Sequence, residues 1–225
     1  MTLGSQHAPL FALVQDTLRH RILTGHYQQG ERLVEGDIAL EMGVSRIPVR
    51  EALRALAAAG LVRIEPRRGA SVTSLSRDHA HDIVEVRATL EALNARLAAE
   101  RRSAPQMAAL DSSIRAGQAA IERDDMPALL EQNRRFHELL GGASSNVVLQ
   151  DLMRSLRDRT ALLFSRNHAA RAAEIWQEHA GILGAVKAGD PELASMLASR
   201  HVHHAAQSYF ERGGVQTGAA QTRAV

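Results

Sequence analysis

Residues 40–56 read LEMGVSRIPVREALRAL, and this stretch predicts the turn and second helix of a helix-turn-helix. Gly43 breaks one helix, and Ser45 can cap the start of the next. Pro48 falls in the first helical turn, where the backbone N–H groups have no intrahelical partner and a proline therefore loses no hydrogen bond. Three apolar residues then recur at helical spacing and predict a buried stripe: Val49, Leu53 and Leu56.

Arg46 and Arg50 lie one helical turn apart on the opposite face of this helix. A recognition helix reads the major groove with such arginines, because a guanidinium can donate two hydrogen bonds to guanine. Taken alone, two arginines at this spacing more often mark a solvated helix face. The neighbouring sequence must therefore decide between the two interpretations.

A hairpin is predicted directly after this helix, in residues 61–73, LVRIEPRRGASVT. Val62 and Ile64 alternate with polar residues, and residues 66–69 form a turn with two arginines at its tip. Helical patterns at about residues 10–25 and 35–42 precede the recognition helix, joined by a connector at residues 26–33. Helix, turn, helix and hairpin together predict a winged helix-turn-helix over residues 10–75.

The segments GVSRIPVREALRALAAAGLV and RRGASV resemble the DNA-binding domain of GntR-family transcription regulators. The resemblance implies a homodimer that binds double-stranded palindromic operator DNA. Five residues are the implied DNA contacts: Arg46, Arg50, Arg67, Arg68 and Gly69, the glycine allowing close approach of the backbone. Similar proteins commonly carry an arginine just after the glutamate that opens the second helix, whereas this chain has Gly36.

Composition sets bounds that agree with this interpretation. The 225 residues include no cysteine, which excludes disulfides and thiolate metal sites and fits a reducing cytoplasm. A net charge of +2 is too small to indicate DNA binding by itself, so the basic groups must cluster on one face. No apolar run reaches the ~18 residues of a membrane span. We expect a cytoplasmic protein that does not associate with membranes.

Residues 78–212 predict a second domain that is entirely helical, and residues 213–225 predict a disordered tail. Six helical patterns follow one another with short connections, which indicates an antiparallel bundle. Asp78 is the expected N-cap of the first of these helices. Its apolar face is predicted from five residues: Ile83, Val86, Leu90, Leu93 and Leu97. The predicted fold is mainly α, with a small β wing.

Three histidines point into this predicted bundle from three helices. His137 lies four residues after Asn133, while His179 and His201 each continue an apolar stripe. A single inward histidine is usually a hydrogen-bonded core residue, but three imidazoles and an amide indicate a transition-metal site. His204, one turn after His201, is a rival ligand.

The same region resembles the FCD effector-binding domain of the FadR subfamily of GntR regulators, and the six helices are similar to its smaller, VanR-like members. The segments that carry this are SRDHAHDIVEVRATLEALNARLAAE, NRRFHELLGGASSNVVLQDL, EHAGILGAVKAGDPELA and SRHVHH. The resemblance implies a divalent metal ion held by Asn133, His137, His179 and His201. Four nitrogen and oxygen ligands suit Zn²⁺, Ni²⁺ or another first-row ion. The open metal positions would bind a small carboxylate effector.

Arg87 is the candidate for a further contact to the effector, since a guanidinium pairs well with acidic groups. An intrahelical ion pair with Glu91 is an equally good interpretation. The predicted function is a transcription repressor, not an enzyme, whose operator binding is controlled by the effector. The alternatives are a regulator that binds its effector without metal, and a helical-bundle metalloenzyme.

Overall fold

The protein, described by a computed structural model over residues 10–164 and 168–211, begins with a winged helix-turn-helix. Its helices are α1 (Leu10–Leu23), α2 (Glu35–Met42) and α3 (Arg46–Ala58), and its strands are β1 (Arg32–Leu33), β2 (Val62–Glu65) and β3 (Gly69–Val72). Gly43 ends α2 with a left-handed backbone (φ 65°), and Ser45 occupies the N-cap position of α3, although its side chain accepts no capping hydrogen bond. The predicted turn and recognition helix are therefore confirmed.

One hydrophobic core joins the three helices and the sheet. The stripe of α1 packs against the predicted stripe of α3, and both are almost completely buried: Val14, Leu18 and Ile22 with Val49, Leu53 and Leu56. Residues of the sheet, including Val62 and Val72, complete this core. Because the apolar faces are used up in packing, the polar face of α3 is left at the surface.

The wing has three antiparallel strands in the order β1-β3-β2. The predicted hairpin is present, with Val62 opposite Val72 and Glu65 opposite Gly69. The prediction of a plain connector at residues 26–33 was wrong, because β1 pairs Arg32 with Ser71. A strand of two residues has too few positions to show alternation, and it forms only because β3 offers free hydrogen-bonding groups.

Six helices follow in the described part of the chain. They are α4 (Arg77–Arg101), α5 (Ala104–Glu122), α6 (Met126–Ser144), α7 (Val147–Phe164), α8 (His168–Ala188) and α9 (Pro191–Glu211). Ser76, rather than the predicted Asp78, caps α4, since its side chain accepts a hydrogen bond from the backbone N–H of His79. The predicted tail at residues 213–225 lies outside the described residues.

The long helix α4 turns a different face inward than its large apolar residues suggest. Within the predicted apolar stripe, Val86 and Leu93 are 52% and 41% exposed, Leu90 and Leu97 are half-buried, and Ile83 is buried as predicted. The buried face consists of small and polar residues, among them Arg87, Glu91 and Asn94. Alanines on this face let α9 approach closely, and the polar residues are directed into the bundle. Among the described helices, none is long and apolar enough to cross a membrane.

Candidate functional site

Three imidazoles meet in the interior of the helical bundle. His137 on α6, His179 on α8 and His201 on α9 are at most 6% exposed, and one ring nitrogen from each lies within 4.8 Å of the other two. Nε2 of His179 is 3.2 Å from Nε2 of His201. Two nitrogens that bind one tetrahedral zinc ion at about 2.05 Å stand about 3.3 Å apart. The residues present therefore fit a divalent metal ion.

Glu178 determines which nitrogen of His201 is available. Its carboxylate accepts hydrogen bonds from Nδ1 of His201 at 2.7 Å and from Nδ1 of His204 at 2.8 Å. Burial raises the pKa of Glu178, but these hydrogen bonds outweigh it and the pKa lies below its usual range. The ionised carboxylate keeps the proton of His201 on Nδ1, so the lone pair of Nε2 is directed at His179.

This geometry separates His204 from the three central histidines. His204 belongs instead to a second, more exposed group with Glu174 and Glu178. Asn133 lies one turn before His137 on α6 and is half-buried. That Asn133 is a fourth metal ligand stays a prediction.

Aromatic and small residues hold the ring of His179 in place. Phe136 stacks on it with ring centroids 4.5 Å apart, and Trp176 meets it edge-on at 5.1 Å. The indole N–H of Trp176 donates to the carbonyl of Ile114 on α5 at 2.8 Å. The indole lies so close to Gly117 that a Cβ at that position would be 1.9 Å from its Cζ2 atom. Gly117 thus provides the space that fixes Trp176 and, through it, His179.

A buried ion pair borders the histidines. Oε1 of Glu91 lies 3.5 Å from Nδ1 of His137 and 3.5 Å from a terminal nitrogen of Arg87, and Arg87 also donates to Oγ1 of Thr160 on α7. The predicted ion pair of Arg87 with Glu91 is therefore confirmed, whereas its contact to an effector stays a prediction.

The electrostatics around Glu91 suit His137 as a metal ligand. Burial lowers the pKa of His137 to about 4, so the ring is neutral near pH 7 and can act as a ligand. Burial also raises the pKa of Glu91, yet His137, Arg87 and Arg157 together hold it well below its usual range. The site therefore keeps one carboxylate charged in the interior.

Sequence reasoning missed Glu178 and gave Glu91 only as a helical neighbour of Arg87. Glu178 directly precedes His179, and two consecutive residues of a helix point about 100° apart. The carboxylate therefore cannot share the direction of the adjacent ring, and only the packing of α9 against α8 shows that it reaches His201. The available signal was the pair of histidines three residues apart on α9, which one carboxylate can bind together.

The predicted DNA-contacting arginines are exposed on the winged helix. Arg50 donates a bifurcated hydrogen bond from Nε to both carboxylate oxygens of Glu35, at 3.0 and 3.1 Å, and another from a terminal nitrogen at 2.8 Å. These hydrogen bonds lower the pKa of Glu35. The guanidinium of Arg46 lies over Gly36, and a Cβ at that position would be 3.3 Å from one of its terminal nitrogens. The guanidinium of Arg46 thus occupies the space that a side chain at position 36 would fill.

The wing tip has a backbone that suits close contact. Arg67 has φ 65° and Gly69 has φ 88°, so the turn takes two left-handed residues. Arg67 and Arg68 project into solvent, while the guanidinium of Arg32 on β1 lies 3.9 Å from where a Cβ of Gly69 would be. Arg32 is a further basic group beside the wing tip, and it lies on the strand that the sequence did not predict.

Comparison with known proteins agrees with both halves of the chain. Residues 12–72 match the profile described as bacterial regulatory proteins, gntR family, and residues 82–204 match the FCD domain. The chain is 30% identical over 199 residues to the uncharacterized HTH-type transcriptional regulator YdhC of Bacillus subtilis, covering 87% of this chain and 89% of that protein. It is 27% identical to the HTH-type transcriptional repressor RspR of Escherichia coli, covering 89% of each.

A solved structure, that of Escherichia coli McbR/YncC, has the same fold with a TM-score of 0.79, at 23% identity and covering 92% of this chain and 99% of that one. The relatives that match along the chain are transcription regulators, not enzymes. The chain therefore belongs to the gntR family of bacterial transcription regulators, with a DNA-binding helix-turn-helix followed by an FCD domain.

Proposed function

We propose that this chain is a transcription repressor of the FadR subfamily, acting in the cytoplasm, whose operator binding is controlled by a small carboxylate metabolite held at a metal ion in the bundle. One observation carries the proposal: three buried imidazoles from three helices bring one ring nitrogen each within 4.8 Å of the other two, and Glu91 links His137 to Arg87. Neutral, closely spaced imidazoles are suited to Zn²⁺ or Ni²⁺.

His137, His179 and His201 would hold the metal, with Asn133 as the fourth ligand. When bound, the ion supplies a positive centre with open positions for the oxygens of a carboxylate. Arg87 would bind a second acidic or polar group of the effector, because its ion pair with Glu91 holds the guanidinium inside the bundle. The protein residues thus select a small, negatively charged metabolite.

The outward face of α4 supports a homodimer. Val86 and Leu93 are exposed, and Leu90 and Leu97 on the same stripe are half-buried, which forms an apolar strip along one side of the molecule. Such a strip is ordinarily covered by a partner, and a second copy would add its own strip by two-fold symmetry. A two-fold dimer would place its recognition helices roughly 34 Å apart, and would therefore bind a palindromic operator.

Helix α7 offers a route from the histidines to the winged helix. Thr160 of α7 is bound by Arg87, whereas the preceding residue, Arg159, packs on Gly60 just after the recognition helix. A Cβ at Gly60 would lie only 2.9 Å from Cγ of Arg159. An effector that changes the Arg87–Glu91 pair would therefore shift α7 and alter how the two recognition helices are held.

We expect Arg159→Ala to leave operator affinity in place but to reduce its response to zinc, because the variant removes the contact with Gly60. The measurement is fluorescence anisotropy with operator DNA selected by the wild-type protein, with and without Zn²⁺. Allosteric coupling typically changes affinity by about 5–150-fold, and the variant should lose most of that change. Arg154→Ala, an exposed change on the same helix, is the control. An unchanged zinc response in Arg159→Ala would show that α7 does not transmit the signal.

The DNA-binding side of the proposal is tested by the predicted arginines. Arg46→Ala and Arg50→Ala should each lose about 1–3 kcal/mol of discrimination at particular base pairs, since each removes a contact to base edges. Arg67→Ala should weaken binding to all sequences alike, because a wing-tip arginine contacts phosphate. Selection from a randomised DNA library compares the variants. Identical sequence preferences in the wild type and both recognition-helix variants would contradict this placement.

A further inference from the structure

Asn94 on α4 is a buried amide that takes part in neither the histidine cluster nor the Arg87–Glu91 pair. It is 1% exposed, and among the residues that the structure describes neither its side-chain nitrogen nor its oxygen has a hydrogen-bond partner. An amide buried in this way loses its hydrogen bonds to water and gains none in return. Buried polar groups of native proteins nearly always have partners, so Asn94 requires an explanation.

The position of Asn94 places it beside the histidine site. It lies three residues after Glu91 and seven after Arg87, so the three side chains share one face of α4. Glu91 contacts His137 from this face. Ala95 and Ala98 follow on this side of α4 and are buried, and their methyl groups offer the amide no hydrogen-bonding partner.

We propose that Asn94 recognises the effector, and that the effector is a small acid with a hydroxyl or primary amide group a few ångströms from its carboxylate. This inference rests on the proposed function, because the carboxylate end is assigned to the metal and Arg87. The side-chain amide of asparagine both donates and accepts hydrogen bonds. A hydroxyl or a primary amide can satisfy both, whereas a second carboxylate satisfies only the donor and an alkyl group neither.

This arrangement makes Asn94 a specificity-determining residue. A site that is built to hydrogen-bond a polar group strongly rejects an analogue without that group, since its own polar atoms then stay unpaired. A purely apolar wall would discriminate such analogues weakly. The buried amide thus favours the binding of acids that carry a hydroxyl or primary amide over acids that lack one.

The test compares the wild type with Asn94→Leu, which keeps the number and branching of the side-chain heavy atoms and removes both polar atoms. In the absence of organic acids, the variant should have a higher melting temperature, because an unpaired buried amide has been replaced by an apolar side chain. Ser113→Ala is the matched control: Ser113 is equally buried but donates to Gln132 at 3.2 Å, and its loss should lower the melting temperature.

The ligand probes are two matched pairs, butyrate with 4-hydroxybutyrate and succinate with its monoamide, added to zinc-loaded protein. In the wild type, the hydroxyl or amide member of at least one pair should bind about tenfold or more tightly than its partner, as measured by calorimetry. In Asn94→Leu this preference should disappear, while zinc content stays that of the wild type.

Two results would overturn the inference. A lower melting temperature for Asn94→Leu would show that the amide is a structural element, and equal affinity of the wild type for both members of each pair would show that it selects nothing. Zinc content separates this test from the proposed function. If the wild type distinguishes the members of the pairs but holds no zinc, the role of Asn94 stands and the proposed metal site is wrong.

Discussion

Replacing Glu91 with alanine is expected to lower the free energy of unfolding by about 3–5 kcal/mol, because it leaves a guanidinium charge in the protein interior without its carboxylate. The side chains of Glu91 and Arg87 are only 3% and 7% exposed. Burial already lowers the pKa of Arg87, and Glu91 opposes that shift. The loss can be measured by urea denaturation of the metal-free protein near pH 7.

Two comparisons separate the buried charge from other effects of Glu91→Ala. The double variant Arg87→Met with Glu91→Leu should recover most of the lost stability, since no unpaired charge remains. Glu100→Ala breaks the exposed pair with Arg96 on the same helix, and should cost less than about 1 kcal/mol. If Glu91→Ala and Glu100→Ala lower the free energy of unfolding by the same amount, Glu91 does not stabilise the buried charge of Arg87.

Gly117→Ala is expected to cost about 2–3 kcal/mol of stability and to weaken metal binding as well. The added Cβ would lie 1.9 Å from Cζ2 of Trp176, so the indole must move. Trp176 also contacts His179, and a displaced indole therefore disturbs the ring that is to bind the metal. Thermal denaturation and zinc titration follow the two effects.

Gly184→Ala on α8 is the matched control for this prediction. Gly184 is exposed and a Cβ there would meet no atom of the described chain within 4 Å, so alanine should stabilise the helix by roughly 0.5–1 kcal/mol. The two glycine variants should thus shift the melting temperature in opposite directions. Equal and small shifts would mean that Gly117 gives Trp176 no space that it needs.

Local patterns predicted the fold and the three histidines. The stripe of Val49, Leu53 and Leu56 is buried, because spacing along a helix directly determines which residues share a face. His179 and His201 lie inside for the same reason: each continues an apolar stripe of its own helix. The buried position of residues in phase with the core could therefore be predicted from the sequence alone.

Contacts between distant segments could not be predicted. The large apolar residues of α4 indicated an inward face that includes Val86 and Leu93, yet these are exposed and small residues pack instead. Hydrophobic periodicity identifies an apolar face but not which surface covers it, and α4 has a second face that α9 fills. Strand β1 and the hydrogen bonds of Arg50 to Glu35 likewise depend on residues far apart along the chain.

The most direct test of the central claim is elemental analysis of the purified protein after incubation with Zn²⁺ or Ni²⁺ and removal of the excess. We predict about one ion per chain in the wild type and in His204→Ala, and almost none in His179→Ala or His201→Ala. Glu178→Gln should bind the ion about 10–100-fold more weakly, since it no longer orients His201. A wild type that stays metal-free, or a His179→Ala variant that keeps its ion, would contradict the account.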